Sequence, residues 1–126
     1  MNEKVILIGC GQMSVDYVKV LQGLNIDFTV VGRNEEHCRL FEEKTGVKPI
    51  PNGIEQYVKE HPDNVFSAAI VVTEAEQLTP VTDVLISYGI KNILTEKPAG
   101  LSKSSMKAAA EHAANAGSSV YVAYNR

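Results

Sequence analysis

The sequence predicts a doubly wound α/β fold, in which a mostly parallel sheet of about six strands carries helices on both faces. Short apolar runs rich in β-branched residues alternate with longer stretches of helical spacing, which is typical of repeated strand–helix–strand units. A glycine-rich turn follows the first apolar run and leads directly into the first helical stretch. Residues 1–126 are enough for one such domain and too few for a second full one.

The first half of the chain predicts two strand–helix units. The first strand, 4–8, contains the continuous apolar run 5–8, and the helix after it ends near Gly23. The second strand, 27–31, leads to a helix that Asn34 caps and Gly46 terminates. In the first helix, apolar residues recur at helical spacing and predict one buried face, made of Met13, Tyr17, Val20, Leu21 and Leu24.

The middle of the chain predicts one weak and one strong strand. Residues 47–51 fit only a sheet edge, because Pro49 and Pro51 have no N–H group for the ladder. The run 66–72 is the strongest candidate for the centre of the sheet. Each strand is followed by a helix whose inward residues are Ile54, Tyr57 and Val58 in the shorter helix and Leu78, Val81, Leu85 and Tyr88 in the longer one.

The last part of the chain predicts two further strands. Residues 92–95 form the fifth strand and end at a Glu-Lys-Pro triplet. Ser102 then caps an alanine-rich helix that stops at Gly117, and 119–124 form the sixth strand.

Composition favours small-molecule partners. The net charge is -3, and the Lys and Arg residues are scattered, which argues against a nucleic acid or an anionic membrane surface. The apolar run before Gly9 is too short for a signal peptide, and no later run would span a bilayer. Cys10 and Cys38 cannot form a disulfide framework, which favours a cytoplasmic protein. Neither they nor the three histidines have metal-ligand spacing, so we expect no metal site.

The glycine turn after the first strand predicts a site for a dinucleotide. Gly9 allows the tight turn and Gly11 the close approach of a pyrophosphate, while Ser14 takes the third small position. The backbone N–H groups of Gln12 and Met13 begin the helix and would hold the pyrophosphate. The alternative is an ordinary strand-to-helix turn without a ligand.

The end of the second strand predicts which dinucleotide binds. An acid at this place usually holds the ribose 2′-hydroxyl, whereas an Arg accommodates a 2′-phosphate. This chain has Gly32 and Arg33 there, which favours NADP over NAD unless Arg33 is merely solvated. Asn34 would bond the ribose of either cofactor.

Lys97 is the candidate catalytic residue. Pro98 holds it extended after the fifth strand, where it would donate a proton or hydrogen bond to an oxygen beside the nicotinamide. The alternative is a surface lysine paired with Glu96.

Together, the glycine turn, the Gly-Arg-Asn sequence, the Glu-Lys-Pro triplet and the closing residues 122–126 resemble the N-terminal NAD(P)-binding Rossmann domain of the Gfo/Idh/MocA oxidoreductases. The resemblance implies a nicotinamide-dependent dehydrogenase or reductase that acts on the CH–OH group of a sugar, cyclitol or related polyol. It also implies that Lys97 contacts both cofactor and substrate, with Glu96 and Pro98 beside it, and that the bond before Pro98 is often cis.

Two features depart from the family pattern. Thr73 begins a turn that reads Thr-Glu-Ala instead of Thr-Pro-Asn, and Leu78 stands where a His is usual. The family's C-terminal domain, with its substrate pocket and homo-oligomer interface, does not follow within these residues, so we expect a truncated form that does not turn over. The alternatives are a regulatory or sensor module that binds NADP without catalysis, and a structural partner.

Overall fold

The structure is a computed structural model of the chain and describes residues 4–73, 75–96, 111 and 114–123. In this part of the chain, five strands form one all-parallel sheet in the order β2-β1-β3-β4-β5. The strands are β1 (Lys4–Ile8), β2 (Asp27–Val31), β3 (Ala68–Val71), β4 (Asn92–Glu96) and β5 (Ser119–Ala123). The predicted doubly wound α/β class is confirmed, and the predicted central strand is β3, which lies in the middle of the sheet.

Four helices connect the strands in the described part of the chain. They are α1 (Gln12–Gly23), α2 (Glu35–Thr45), α3 (Gly53–Glu60) and α4 (Ala75–Tyr88). Glu111 and residues 114–116 are also helical, whereas the predicted cap at Ser102 lies outside the described residues. None of the described helices is long and apolar enough to cross a lipid bilayer.

The helices cover both faces of the sheet. Ile6 and Ile8 of β1 belong to a buried cluster that includes residues of α3 and α4. Leu7 points to the opposite face and belongs to a second cluster with residues of α1 and α2. This alternation follows from the two-residue period of a strand and explains why Val5 to Ile8 of β1 are all apolar.

The predicted buried face of α1 is partly wrong. Val20 and Leu24 are 55% and 63% exposed, whereas Val15 and Val18 are buried with Leu21. The buried residues lie on a neighbouring face of the helix. Both faces are apolar and both include Leu21, so the spacing of apolar residues did not show which one is buried. The inward residues predicted for α3 and the described part of α4 are confirmed as buried or packed against the core.

In place of the predicted edge strand 47–51, the described residues show a single parallel bridge between Val31 and Ile50. The N–H of Ile50 donates to the carbonyl oxygen of Val30, and the N–H of Gly32 donates to that of Ile50, both at 2.8 Å. Of residues 47–51, Ile50 alone bridges to β2, and Pro49 and Pro51 on either side have no N–H group to donate on the outer side. The segment is therefore a tether on the outer edge of β2.

Candidate functional site

A cleft lies at the carboxyl ends of β1, β2 and β3. The chain passes from β1 outward to β2, and β3 then pairs with the other side of β1, so the winding direction reverses there. Such switch points are where ligands bind in open α/β sheets. The cavity has a volume of about 650 Å³, and Gly9, Gly11, Arg33, Asn34 and Thr73 are among the residues that line it.

Gly9 joins the ends of all three strands. Its φ is +122°, a left-handed conformation that favours glycine. Its N–H donates to the carbonyl oxygen of Val31 at 2.9 Å, and a Cβ at residue 9 would overlap the carbonyl oxygen of Val72. Glycine is thus required at residue 9, because the backbone of Val72 leaves no room for a side chain there.

Gly11 has a different role from Gly9. It is the N-cap of α1 with φ -91°, and no described atom lies within 4 Å of the place where its Cβ would be. The first intrahelical bond runs from the N–H of Val15 to the carbonyl oxygen of Gly11 at 3.3 Å, so the N–H groups of Gln12 and Met13 precede it. Among the described residues, no side chain caps this end of α1. The turn therefore presents backbone donors beside open space.

Ser14, the third small residue of the motif, is fully buried. Its Oγ lies 3.5 Å from the place where a Cβ on Gly9 would be and has no hydrogen-bond partner among the described residues. The small side chain allows α1 to pack closely on the turn, which is the role of the third glycine in dinucleotide-binding turns.

Gly32 lies between two thiols. The Sγ atoms of Cys10 and Cys38 are 3.8 Å apart, and a Cβ at residue 32 would be 2.5 Å from each. Burial, followed by the charge of Cys38 and the hydrogen bond with it, raises the pKa of Cys10 to about 12. The structure therefore favours Cys10 as a small, protonated packing residue over a reactive thiol. Sequence reasoning missed the contact with Cys38, which is 28 residues away.

Arg33 is not a free solvated side chain. Its Nη2 donates to both carboxylate oxygens of Glu55, at 2.9 and 3.0 Å. Burial alone raises the pKa of the Glu55 carboxyl, but the hydrogen bond from Arg33, a backbone hydrogen bond and the Arg33 charge outweigh it and lower that pKa below its ordinary value. Sequence reasoning missed the contact of Arg33 with Glu55 as well. The local sequence shows only that Glu55 is an acid in the first turn of α3.

Asn34 is the N-cap of α2, as predicted. Its Oδ1 accepts hydrogen bonds from the N–H groups of Glu36 at 2.8 Å and His37 at 3.2 Å. Because the cap uses the oxygen, the group of this side chain that remains for a ligand is the Nδ2 donor.

The predicted catalytic residue lies outside the described residues. β4 ends at Glu96, whose side chain is also not described, and Lys97 and Pro98 follow it in the sequence. Their predicted roles, and the isomer of the bond before Pro98, stay predictions.

Comparison with known proteins identifies the family of this chain. The model of the family described as "Oxidoreductase family, NAD-binding Rossmann fold" (GFO_IDH_MocA) matches residues 3–124. The chain belongs to the Gfo/Idh/MocA oxidoreductase family. It is an NAD-binding domain of that family. No curated protein matches the chain in sequence.

Solved structures share the fold of this Gfo/Idh/MocA domain. An oxidoreductase from Agrobacterium radiobacter in complex with NAD+, L-tartaric acid and magnesium aligns with TM-score 0.83 and 17% identity, over 97% of this chain and 35% of that one. The WlbA dehydrogenase from Bordetella pertussis, in complex with NADH and UDP-GlcNAcA, aligns with TM-score 0.80 and 17% identity, over 98% and 37%. Biliverdin reductase from Synechocystis, in complex with biliverdin and NADP+, aligns with TM-score 0.75 and 18% identity, over 94% and 37%.

These identities show the fold alone. The chain spans little more than a third of the length of those proteins. Among them, NAD and NADP are both represented as bound cofactors, so the fold is compatible with either dinucleotide.

Proposed function

We propose that this chain is the NADP(H)-binding part of an oxidoreductase that acts on the CH–OH group of a sugar, cyclitol or related polyol. The observation that carries the proposal is the uncapped start of α1, which faces open space at Gly11 in the 650 Å³ cavity. A nicotinamide cofactor would supply hydride transfer when bound there.

The residues around the cleft fit a dinucleotide. The N–H groups of Gln12 and Met13 would hold the pyrophosphate, since a helix start offers unpaired donors and a positive dipole end. The lack of a side chain at Gly11 allows the pyrophosphate to approach the backbone. Arg33 and Asn34 would bind the adenosine ribose, and Thr73, two residues after β3, lines the same cavity.

The end of β2 supports NADP as the preferred cofactor. Gly32 provides no carboxylate for a ribose 2′-hydroxyl, and the two cysteine sulfurs fill the space where a side chain at this position would begin. Arg33 provides a guanidinium, which suits the planar, charged recognition of a phosphate. NAD is the second choice.

For the chemistry, we propose Lys97 as the catalytic residue, which would orient and polarise the reacting oxygen of the substrate. Glu96 and Pro98 would contact the cofactor beside it. The neighbour that holds UDP-GlcNAcA supports a sugar-like substrate. Because the chain spans about 35–37% of the length of such neighbours, we propose that these residues alone bind cofactor without turning over substrate. We also propose that the active protein assembles as a homo-oligomer, as the family resemblance implies.

Titration with dinucleotides tests the cofactor assignment. For Arg33→Ala, we expect the affinity for NADPH to fall about 10- to 100-fold, because a charge-assisted hydrogen bond contributes about 1.5–3 kcal/mol. The affinity for NADH should change little. The measurement is NADPH and NADH fluorescence or calorimetry on the wild type and the variant.

Arg39→Ala is the matched control, since Arg39 is exposed on α2 and does not line the cavity. No binding of either dinucleotide at millimolar concentration would contradict the site. Tighter binding of NADH than of NADPH by the wild type would contradict the role of Arg33.

A second variant separates binding from folding. Gly11→Ala is expected to leave the free energy of unfolding within about 0.5 kcal/mol of wild type, because its φ suits alanine and the Cβ meets no described atom. It should weaken both dinucleotides about 10-fold or more, since a methyl group forced into a close contact costs about 1–3 kcal/mol. Thermal melting and titration measure the two effects.

Gly23→Ala, at the other end of α1, is the control, because its Cβ also meets no described atom within 4 Å. If Gly11→Ala bound dinucleotides as well as Gly23→Ala does, the pyrophosphate would not lie at this turn.

A further inference from the structure

The guanidinium that faces the cleft already has an anionic partner. Arg33 and Glu55 are joined by two hydrogen bonds of 2.9 and 3.0 Å from one nitrogen, and their side chains are 54% and 48% exposed. The guanidinium also lies along Gly53, where a Cβ would be 3.2–3.4 Å from three of its atoms. Arg33 is thus turned toward the start of α3.

The backbone fixes Glu55 in this position. The N–H of Gly53 donates to the carbonyl oxygen of Gly32 at 2.9 Å, and the N–H of Asn52 donates to that of Arg33 at 3.3 Å. Asn52 and Gly53 have φ of +80° and +83°, so the chain bends sharply into α3 and places Glu55 in the first turn. These two hydrogen bonds therefore hold the loop after β2 and the start of α3 together.

The pair has different consequences for the two dinucleotides. A 2′-phosphate carries up to two negative charges and would meet a guanidinium whose charge Glu55 has already compensated. To bind Arg33 closely, it must displace a carboxylate or lie beside it, and both reduce the gain. A ribose 2′-hydroxyl is neutral and has no such competition.

We propose that Glu55 sets the cofactor selectivity of this site by competing with the 2′-phosphate for Arg33. The inference rests on the proposed dinucleotide function and adds a residue on α3 that acts through Arg33. Glu55 lowers the affinity for NADP(H) and has little effect on NAD(H). The preference for NADP that Arg33 provides is therefore smaller than it would be with an unpaired guanidinium.

Glu55→Gln tests the competition in the 126-residue chain. We expect it to raise the affinity for NADPH about five-fold, in keeping with an exposed ion pair of up to about 1 kcal/mol, and to change that for NADH by less than about two-fold. Adenosine 2′,5′-bisphosphate and AMP, used as small probes, should show the same difference. A structural role for Glu55 would shift both members of each pair alike.

Glu60→Gln is the matched control, because Glu60 lies on the same helix and bonds Gln56 instead of Arg33. Its removal should leave the NADPH-to-NADH ratio unchanged. An equal shift by Glu60→Gln would overturn the proposal in favour of a general charge effect.

A double variant tests the route through Arg33. In the Arg33→Ala background, Glu55→Gln should no longer change the affinity for NADPH. A persistent gain there would mean direct repulsion by Glu55 and would overturn the competition. If the wild type binds NADPH through Arg33 but Glu55→Gln leaves the ratio unaltered, the inference alone fails. If the wild type binds neither dinucleotide, the proposed function fails and the inference with it.

Discussion

Replacing Gly9 by alanine is expected to lower the free energy of unfolding by about 3 kcal/mol or more, as the sum of a strained backbone conformation and a steric overlap. Residues with a side chain rarely adopt a φ of +122°, and the new Cβ would overlap the backbone of Val72. Val72 cannot move aside easily, because its N–H donates to the carbonyl oxygen of Ile8 at 2.8 Å. Urea denaturation measures the loss.

Gly46→Ala separates the two contributions. Gly46 also has a positive φ, +76°, but no described atom lies within 4 Å of its Cβ position. Gly46→Ala should lower the free energy of unfolding by about 1 kcal/mol, from the strained backbone conformation alone. A loss for Gly9→Ala no larger than for Gly46→Ala would show that Val72 does not crowd residue 9.

The second large effect is expected for Gly32→Ala, which should cost about 1–3 kcal/mol through crowding of the two thiols. The Cβ would lie 2.5 Å from the Sγ of both Cys10 and Cys38. In a Cys10→Ala/Cys38→Ala background, which lacks the sulfurs, most of this cost should disappear. The measurement is a double-mutant cycle on the free energy of unfolding.

An unchanged cost of Gly32→Ala in that background would contradict this explanation. The result also bears on cofactor engineering. Gly32→Asp, the change that would add an acid for the ribose, should be tolerated only when the sulfurs are removed with it.

Local patterns in the sequence predicted most of the fold. The apolar run of β1, the cap at Asn34 and the αL residue Gly46 all depend on neighbours within a few positions, and the structure has each of them. The buried face of α1 was harder to predict, because two adjacent faces of this helix are apolar and only packing decides which one is buried. The bridge from Ile50 to Val31 could not be predicted, because it depends on how the chain folds back onto β2. The flanking prolines indicated only that any strand here would be weak and at an edge.

The site divides in the same way. The position of Gly9, Gly11 and Arg33 at the cleft could be predicted, because each closely follows a strand in the sequence. The contact of Arg33 with Glu55 spans 22 residues, and that of Cys10 with Cys38 spans 28. Such pairs arise only when separate loops meet at one edge of the sheet, and no period or motif in a single sequence marks them.

The tether at Ile50 also protects the protein from unwanted association. An open strand edge is a template on which another chain can add a strand and start aggregation. At the carboxyl end of β2, Ile50 occupies two of these backbone positions, and the ring nitrogens of Pro49 and Pro51 offer no donor to a further strand. One residue between two prolines thus closes this end of the edge without becoming an edge strand itself.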